Sequence, residues 1–140
     1  MTASAELPHP TEKVGHFFNT CSVLQLNVTS MSPNIVKYLL STKYDIVCVQ
    51  EHRLRGHKFF AQIRRLQFYY NVIATHARVK NCMPIGGAMI LISKGITLLP
   101  SKLGMISQDP RGNAVTAVIR VKDCSLMLTS IYLPPNDEHT

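Results

Sequence analysis

Between Asp45 and Arg53 the chain reads DIVCVQEHR. Ile46, Val47, Cys48 and Val49 suit a buried strand, and then Gln50, Glu51, His52 and Arg53 arrive together. A strand covered on both faces reads as a continuous apolar run. A carboxylate at its tip needs a reason, because an unpaired charge is expensive to bury. The flanking sequence places this strand in a repeating order. CSVLQLNV (21–28) alternates as a strand does, with Leu24, Leu26 and Val28 on one side. In SMSPNIVKYLLST, Ser32 caps a helix and Pro33 suits its first turn. Ile35, Val36, Leu39 and Leu40 then share a helical face. Strand, helix, strand in succession predicts a β-α-β unit.

The remainder alternates in the same way. HKFFAQIRRLQ (57–67) predicts a second helix with Phe59, Ile63 and Leu66 on one face. FYYNVIATH (68–76) predicts a third strand, RVKNCMP (78–84) a basic loop, and GGAMILIS (86–93) a buried strand introduced by two glycines. KGITLLP gives a turn and a short strand, and QDPRGN (108–113) a turn. AVTAVIRV (114–121) and SLMLTSIYL (125–133) flank KDC as a hairpin. Two helices and about seven strands make an α/β chain.

Composition narrows the class. At 140 residues with 46% hydrophobic content, one globular domain is expected rather than a disordered chain. The opening segment, residues 1–19, reads as a polar leader without the basic-then-apolar order of a signal peptide. No apolar run reaches membrane-spanning length. The four cysteines form no CxxC pair, which argues against a zinc site or a disulfide framework and for a reducing compartment. The net charge is +7, and between His52 and Gln108 there are nine Lys and Arg and no acidic residue. Such a one-signed stretch suits a polyanion such as nucleic acid, or equally a solvated basic surface.

Three predicted strands end in polar groups: Asn27 on the first, Glu51 on the second, and Tyr132 followed by Asn136 on the last. Ligand sites of α/β sheets gather beyond strand ends. A strand-tip carboxylate can hold a hard cation such as Mg²⁺. Taken singly, each has a plainer reading. A strand-end Glu is usually a solvated charge, Asn27 a turn residue and Tyr132 a half-buried packing residue.

Their order is more specific. LQLNV, DIVCVQEHR, GGAMILIS, DPRGNAVTAVIRV and SIYLPPND together resemble the first half of the endonuclease/exonuclease/phosphatase family. The matching residues are Asn27, Asp45, Gln50, Glu51, Gly86, Gly87, Ser93, Arg111, Tyr132, Pro134 and Asn136, over about residues 20 to 137. The Gln-Glu step is the most specific piece and Tyr-x-Pro-Pro-Asn the second. HRL after Glu51 and the closing YLPPND are similar to the apurinic-like endonucleases of LINE-type retrotransposons.

The resemblance implies a four-layer α/β/β/α sandwich and a Mg²⁺-dependent phosphodiesterase, with Mn²⁺ as an alternative ion. Glu51 would bind the metal. Asn27 and Asn136 would position phosphate or neighbouring side chains, and Tyr132 would hydrogen-bond the phosphate or a carboxylate. His52 is expected to pack rather than to ligate, because strand alternation points it away from Glu51. Arg53, Arg55, Lys58 and Arg111 would touch a DNA backbone, giving affinity without sequence choice. Arg64 and Arg65 fit that role or a solvated helix face equally. The implied partners are DNA and a reverse transcriptase domain in a complete version, with action in the nucleus or cytoplasm. The alternatives are a lipid or inositol phosphate phosphatase of the same family and a non-catalytic basic nucleic-acid-binding remnant.

The family also needs an Asp-x-Asn strand and a late Ser-Asp-His. Asp109, Asp123 and Asp137 are not followed two residues later by Asn, and NDEHT places Asp137 and His139 in a loop position. The expectation is therefore a partial domain over 20–140, inactive alone, supplying mostly one sheet with its helices.

Overall fold

A computed structural model describes residues 21–99, 107–108 and 111–134. The polar leader, Asp109, Asn136, Asp137 and His139 lie outside the described residues.

Strand β1 (Val23–Asn27) leads through helix α1 (Pro33–Ser41) to strand β2 (Ile46–Gln50). The Ser32 Oγ accepts the Ile35 N–H at 3.2 Å, and Pro33 occupies the first turn. β1 and β2 pair in parallel, with Asn27 opposite Gln50, as the β-α-β pattern predicts. Asp45 clamps the opposite end of this pair. Its carboxylate accepts both the N–H and the Oγ of Ser22 at 2.9 and 3.1 Å, and its own N–H donates to the Ser22 Oγ at 2.9 Å.

Helix α2 (Gly56–Leu66) follows, then β3 (Tyr70–Ala74), β4 (Arg78–Lys80), β5 (Met83–Ile85) and β6 (Ala88–Ser93). The first sheet has the order β1-β2-β6-β3, with β6 antiparallel to both neighbours. All five residues of β2 are buried. Val47 and Val49 pack with Val36, Leu39 and Leu66 beneath the two helices. Ile46 and Cys48 face the other way and meet Ile90, Ile92, Val115, Ala117 and Ile119. The period-two alternation of β2 thus feeds two separate cores.

The chain continues through the short β7 (Thr97–Leu98) and β8 (Ser107–Gln108) to β9 (Ala114–Val121) and β10 (Cys124–Ile131). These make a second sheet, β10-β9-β7, with β8 also on β9. The two sheets lie face to face, and the helices cover the outer side of the first. Three of the four layers of an α/β/β/α sandwich are therefore present among the described residues.

Two expectations need correction. The chain supplies two sheets rather than mostly one, because Val115, Ala117 and Ile119 on β9 bury themselves completely against the first sheet. Residues 78–84 are not a loop but belong to the β4–β5 hairpin, whose Asn81 and Cys82 both have positive φ, +53° and +64°. Two successive positive φ values match the twist of a tight hairpin. The third strand also begins later than alternation suggests: Phe68 and Tyr69 are exposed in the turn after α2.

Candidate active site

β1 and β2 run parallel and so end at the same edge, where the antiparallel β6 begins. Three backbone bonds fasten that edge. The N–H groups of Glu51 and His52 reach the Gly87 carbonyl at 2.7 and 3.3 Å, and the Arg53 N–H reaches the Gly86 carbonyl at 2.9 Å. The Gly87 N–H in turn donates to the Gly112 carbonyl at 2.7 Å, and the Tyr132 N–H to the Asn113 carbonyl at 2.7 Å. A Cβ on Gly86 would lie 3.7 Å from the Tyr132 ring. The end of β2, the start of β6, the turn before β9 and the end of β10 therefore meet at one place.

A polar link between the sheets supports this edge from below. The Gln50 Nε2 donates to the Ser130 Oγ at 2.8 Å, and that hydroxyl donates to the Val49 carbonyl at 3.1 Å, all in buried surroundings. Gln50 and Ser130 precede Glu51 and Tyr132 by one and two residues. The link therefore fixes the two strand ends against each other.

Beyond Gln50 the chain leaves the strand. Glu51 and Arg53 have φ of +63° and +59°. For residues with a Cβ this left-handed region costs on the order of 1–3 kcal/mol each and persists only where surroundings enforce it. The bonds to Gly86 and Gly87 enforce it here. The resulting kink turns the Arg53 Nη2 onto the Glu51 Oε2 at 2.6 Å and sends His52 inward. The Arg53 guanidinium is thus a direct partner of that carboxylate.

His52 is wholly buried. Its Nδ1 accepts the Leu54 N–H at 2.9 Å and its Nε2 lies 2.9 Å from the Thr75 carbonyl, so Nε2 carries the proton. Burial pushes its pKa down to about 4. The neutral ring packs under Gly87 and 6.0 Å from the Phe59 ring, which stacks on His76 at 3.9 Å. His52 does turn away from Glu51, but the left-handed backbone does this and not strand alternation.

The remaining predicted residues divide. Asn27 is exposed at the same edge, and its Oδ1 accepts the Thr29 N–H at 3.0 Å in a local turn. Arg53, Arg55 and Lys58 line one pocket of about 330 Å³ with Met31, Leu54 and Met83. Arg55 donates to the Ala77 carbonyl. Arg111 is exposed and adjoins Gly112 at the site edge. Arg64 and Arg65 are exposed in the last turn of α2 and do not line the pocket.

Two groups escaped the sequence reading. Asn113 is buried beside Gly86, and its Oδ1 has no hydrogen-bond partner. Met83 enters the pocket wall from the β4–β5 hairpin. The only signal for Asn113 was its place after a glycine at the opening of β9.

Among the described residues no three His, Cys, Asp or Glu side chains gather. At the end of β2 the carboxylate available to a metal would be that of Glu51, which is largely buried, its side chain 12% exposed. Mg²⁺ suits so sparse a donor set, since it retains waters and binds through one or two carboxylates with substrate phosphates. The unpartnered Asn113 Oδ1 leaves an acceptor for a water or a substrate hydroxyl near the same edge.

No family model and no curated protein matches the sequence. Solved structures do match. ANGEL2, a 2',3'-cyclic phosphatase, aligns at 18% identity and a TM-score of 0.59 over 83% of this chain and 41% of its own. TDP2 from Caenorhabditis elegans aligns at 17% identity and 0.55 over 85% of this chain and 37% of its own. The chain spans about two-fifths of the length of these structures. Their likeness shows the fold of the endonuclease/exonuclease/phosphatase proteins.

Proposed function

We propose that the chain carries the metal-binding edge of a divalent-metal-dependent phosphodiesterase, and that its substrate is DNA, as in the endonucleases of LINE-type retrotransposons. The observation behind this reading is the placement of Glu51: a largely buried carboxylate at the tip of a buried strand, where four chain segments meet. A Mg²⁺ or Mn²⁺ ion at Glu51 would supply charge stabilisation for the scissile phosphate and its leaving oxygen. The chain's own residues do the rest of the binding. Tyr132, and Asn136 beyond the described residues, lie in the sequence after β10 and would hold the phosphate at this edge. Arg53, Arg55 and Lys58 would take flanking phosphates, which positions a strand without reading its sequence. The buried Gln50–Ser130 link would keep Glu51 and Tyr132 in fixed relation. A complete protein of this type would supply the Asp-x-Asn and Ser-Asp-His elements, act in the nucleus and carry a reverse transcriptase domain.

Plasmid nicking in Mg²⁺ by the wild type and by Glu51→Gln, assayed with those later elements present, tests the reading. The amide keeps the shape and loses the charge, so nicking should fall at least about a hundredfold, on the scale of losing one electrostatic stabiliser. Equal nicking at limiting Mg²⁺ would sink it. Phosphate release from inositol phosphates without nicking would move the substrate to the phosphatase class. Salt-sensitive DNA binding indifferent to metal, without cleavage, would mark a non-catalytic remnant.

A further inference from the structure

Arg53 holds the carboxylate that the proposed metal needs. Its Nη2 sits 2.6 Å from the Glu51 Oε2, and its Nε is buried with no hydrogen-bond partner. A guanidinium has five N–H donors, and the bond from Arg53 to Glu51 uses one of them. The left-handed φ at both residues keeps the pair in contact. The same side chain lines the 330 Å³ pocket with Arg55 and Lys58 over Met31, Leu54 and Met83, and no acidic residue among the described ones lines that pocket.

We infer that Arg53 is an internal counter-ion competing with the divalent cation for Glu51, and that a nucleic-acid phosphate entering the neighbouring pocket draws it off. This rests on the reading of Glu51 as a metal ligand. One carboxylate oxygen cannot serve both cations at contact distance. A metal on the other oxygen would still share one negative charge with the guanidinium beside it. Metal binding alone is therefore opposed. A phosphate in the pocket offers Arg53 a bidentate partner that uses more of its donors than Glu51 does. Once the guanidinium has moved, the carboxylate is open. Metal and strand then favour each other's binding, and the coupling is reciprocal by linkage. Arg53 would thereby restrain metal loading in the absence of substrate.

The test is calorimetric titration of Mn²⁺ into the wild-type chain, Glu51→Gln and Arg53→Gln, with and without a short single-stranded oligonucleotide bearing a hydrolysis-resistant backbone. Arg53→Gln should bind Mn²⁺ about tenfold more tightly than the wild type, equivalent to roughly 1.4 kcal/mol, while Glu51→Gln loses measurable binding. The oligonucleotide should tighten Mn²⁺ binding in the wild type and change it little in Arg53→Gln. Arg53→Asn serves as a second variant, because Asn tolerates the left-handed backbone, and thermal melting confirms that each variant folds. Loss of binding in Glu51→Gln with unchanged or weaker binding in Arg53→Gln overturns the inference and leaves the metal site standing. Equal oligonucleotide effects in the wild type and Arg53→Gln also overturn it. Equal Mn²⁺ affinity in the wild type and Glu51→Gln overturns both the inference and the reading beneath it.

Discussion

His52 is the residue whose chemistry is most constrained by its surroundings. It is buried as the neutral imidazole, with its pKa lowered to about 4 by desolvation. In the unfolded chain it titrates near 6.5. Below that value the unfolded state takes up a proton that the folded state refuses, so stability falls as the pH drops. The contribution is fully present above about pH 6.5 and is lost progressively down to about pH 4. The difference corresponds to roughly 3 kcal/mol across the window. Urea denaturation of the wild type should therefore show a falling midpoint between pH 7 and pH 4.5, and His52→Gln should flatten this dependence. An equal slope in both would show that other groups carry it. Gly87 belongs to the same lock. Its φ is +94°, and an added Cβ would lie 2.5 Å from the His52 ring. Gly87→Ala should lose on the order of 2–4 kcal/mol, since strain and overpacking act together. A denaturation midpoint within error of the wild type would refute the lock.

Between elements, one hydrogen-bonded link does what neither sheet's own ladder can. Gln50 on β2 and Ser130 on β10 join the two sheets at the end that carries Glu51 and Tyr132. Removing the hydroxyl leaves a buried amide unsatisfied, at a cost of about 1–3 kcal/mol. Ser130→Ala should lower stability by that amount and loosen the edge. Gln50→Leu together with Ser130→Ala should recover part of the stability, because no polar group is then stranded. A double variant no more stable than Ser130→Ala would argue against the link. These elements also mark how far the sequence could be read. The β1-α1-β2 unit was legible from alternation, from Ser32-Pro33 and from the apolar run ending at Gln50. The β9–β10 hairpin was legible around KDC. These signals are local, and each periodicity survives in the structure. The strand tips gave Glu51 and Tyr132 as candidates, because parallel and antiparallel order fixes which ends coincide. What escaped was set by contacts distant in sequence. No local pattern announces that Glu51 and Arg53 adopt left-handed φ, since Gly86 and Gly87 impose it across the sheet. The β4–β5 hairpin was hidden by Pro84 and its basic residues, which read as loop. The second sheet is hard to read because β7 is two residues long and pairs with β9 at Thr97 and Leu98, with one further backbone bond from Leu99 to Val118.

For the whole molecule, charge and apolar surface pull in opposite directions with salt. The +7 charge favours nucleic acid, and affinity for DNA should fall steeply as counterion release is suppressed by added salt. The outer face of the second sheet behaves differently. β9 and β10 pair residue for residue, with Val118 opposite Met127 and Ala114 opposite Ile131. Alternation turns Val115, Ala117 and Ile119 inward, so this second set points outward. Met127 is 64% exposed, Ile131 50% and the following Leu133 76%. β10 is also an edge strand among the described residues, with an unpaired row of backbone donors and acceptors. A long apolar edge strand is a template for pairing with another chain. Repulsion between molecules of like charge opposes that pairing at low ionic strength, and at physiological salt screening removes the opposition beyond a Debye length of about 8 Å. The 140-residue chain should therefore associate more as salt rises, the reverse of what the proposed DNA binding would do. Sedimentation equilibrium at low and high salt, on the wild type and on Met127→Lys, separates the two effects. The wild type should gain mass with concentration and salt, and Met127→Lys should remain closer to the monomer, because a charge on the edge blocks sheet extension without touching the buried side of β10. A monomer at high concentration and high salt would show that the outer face is covered.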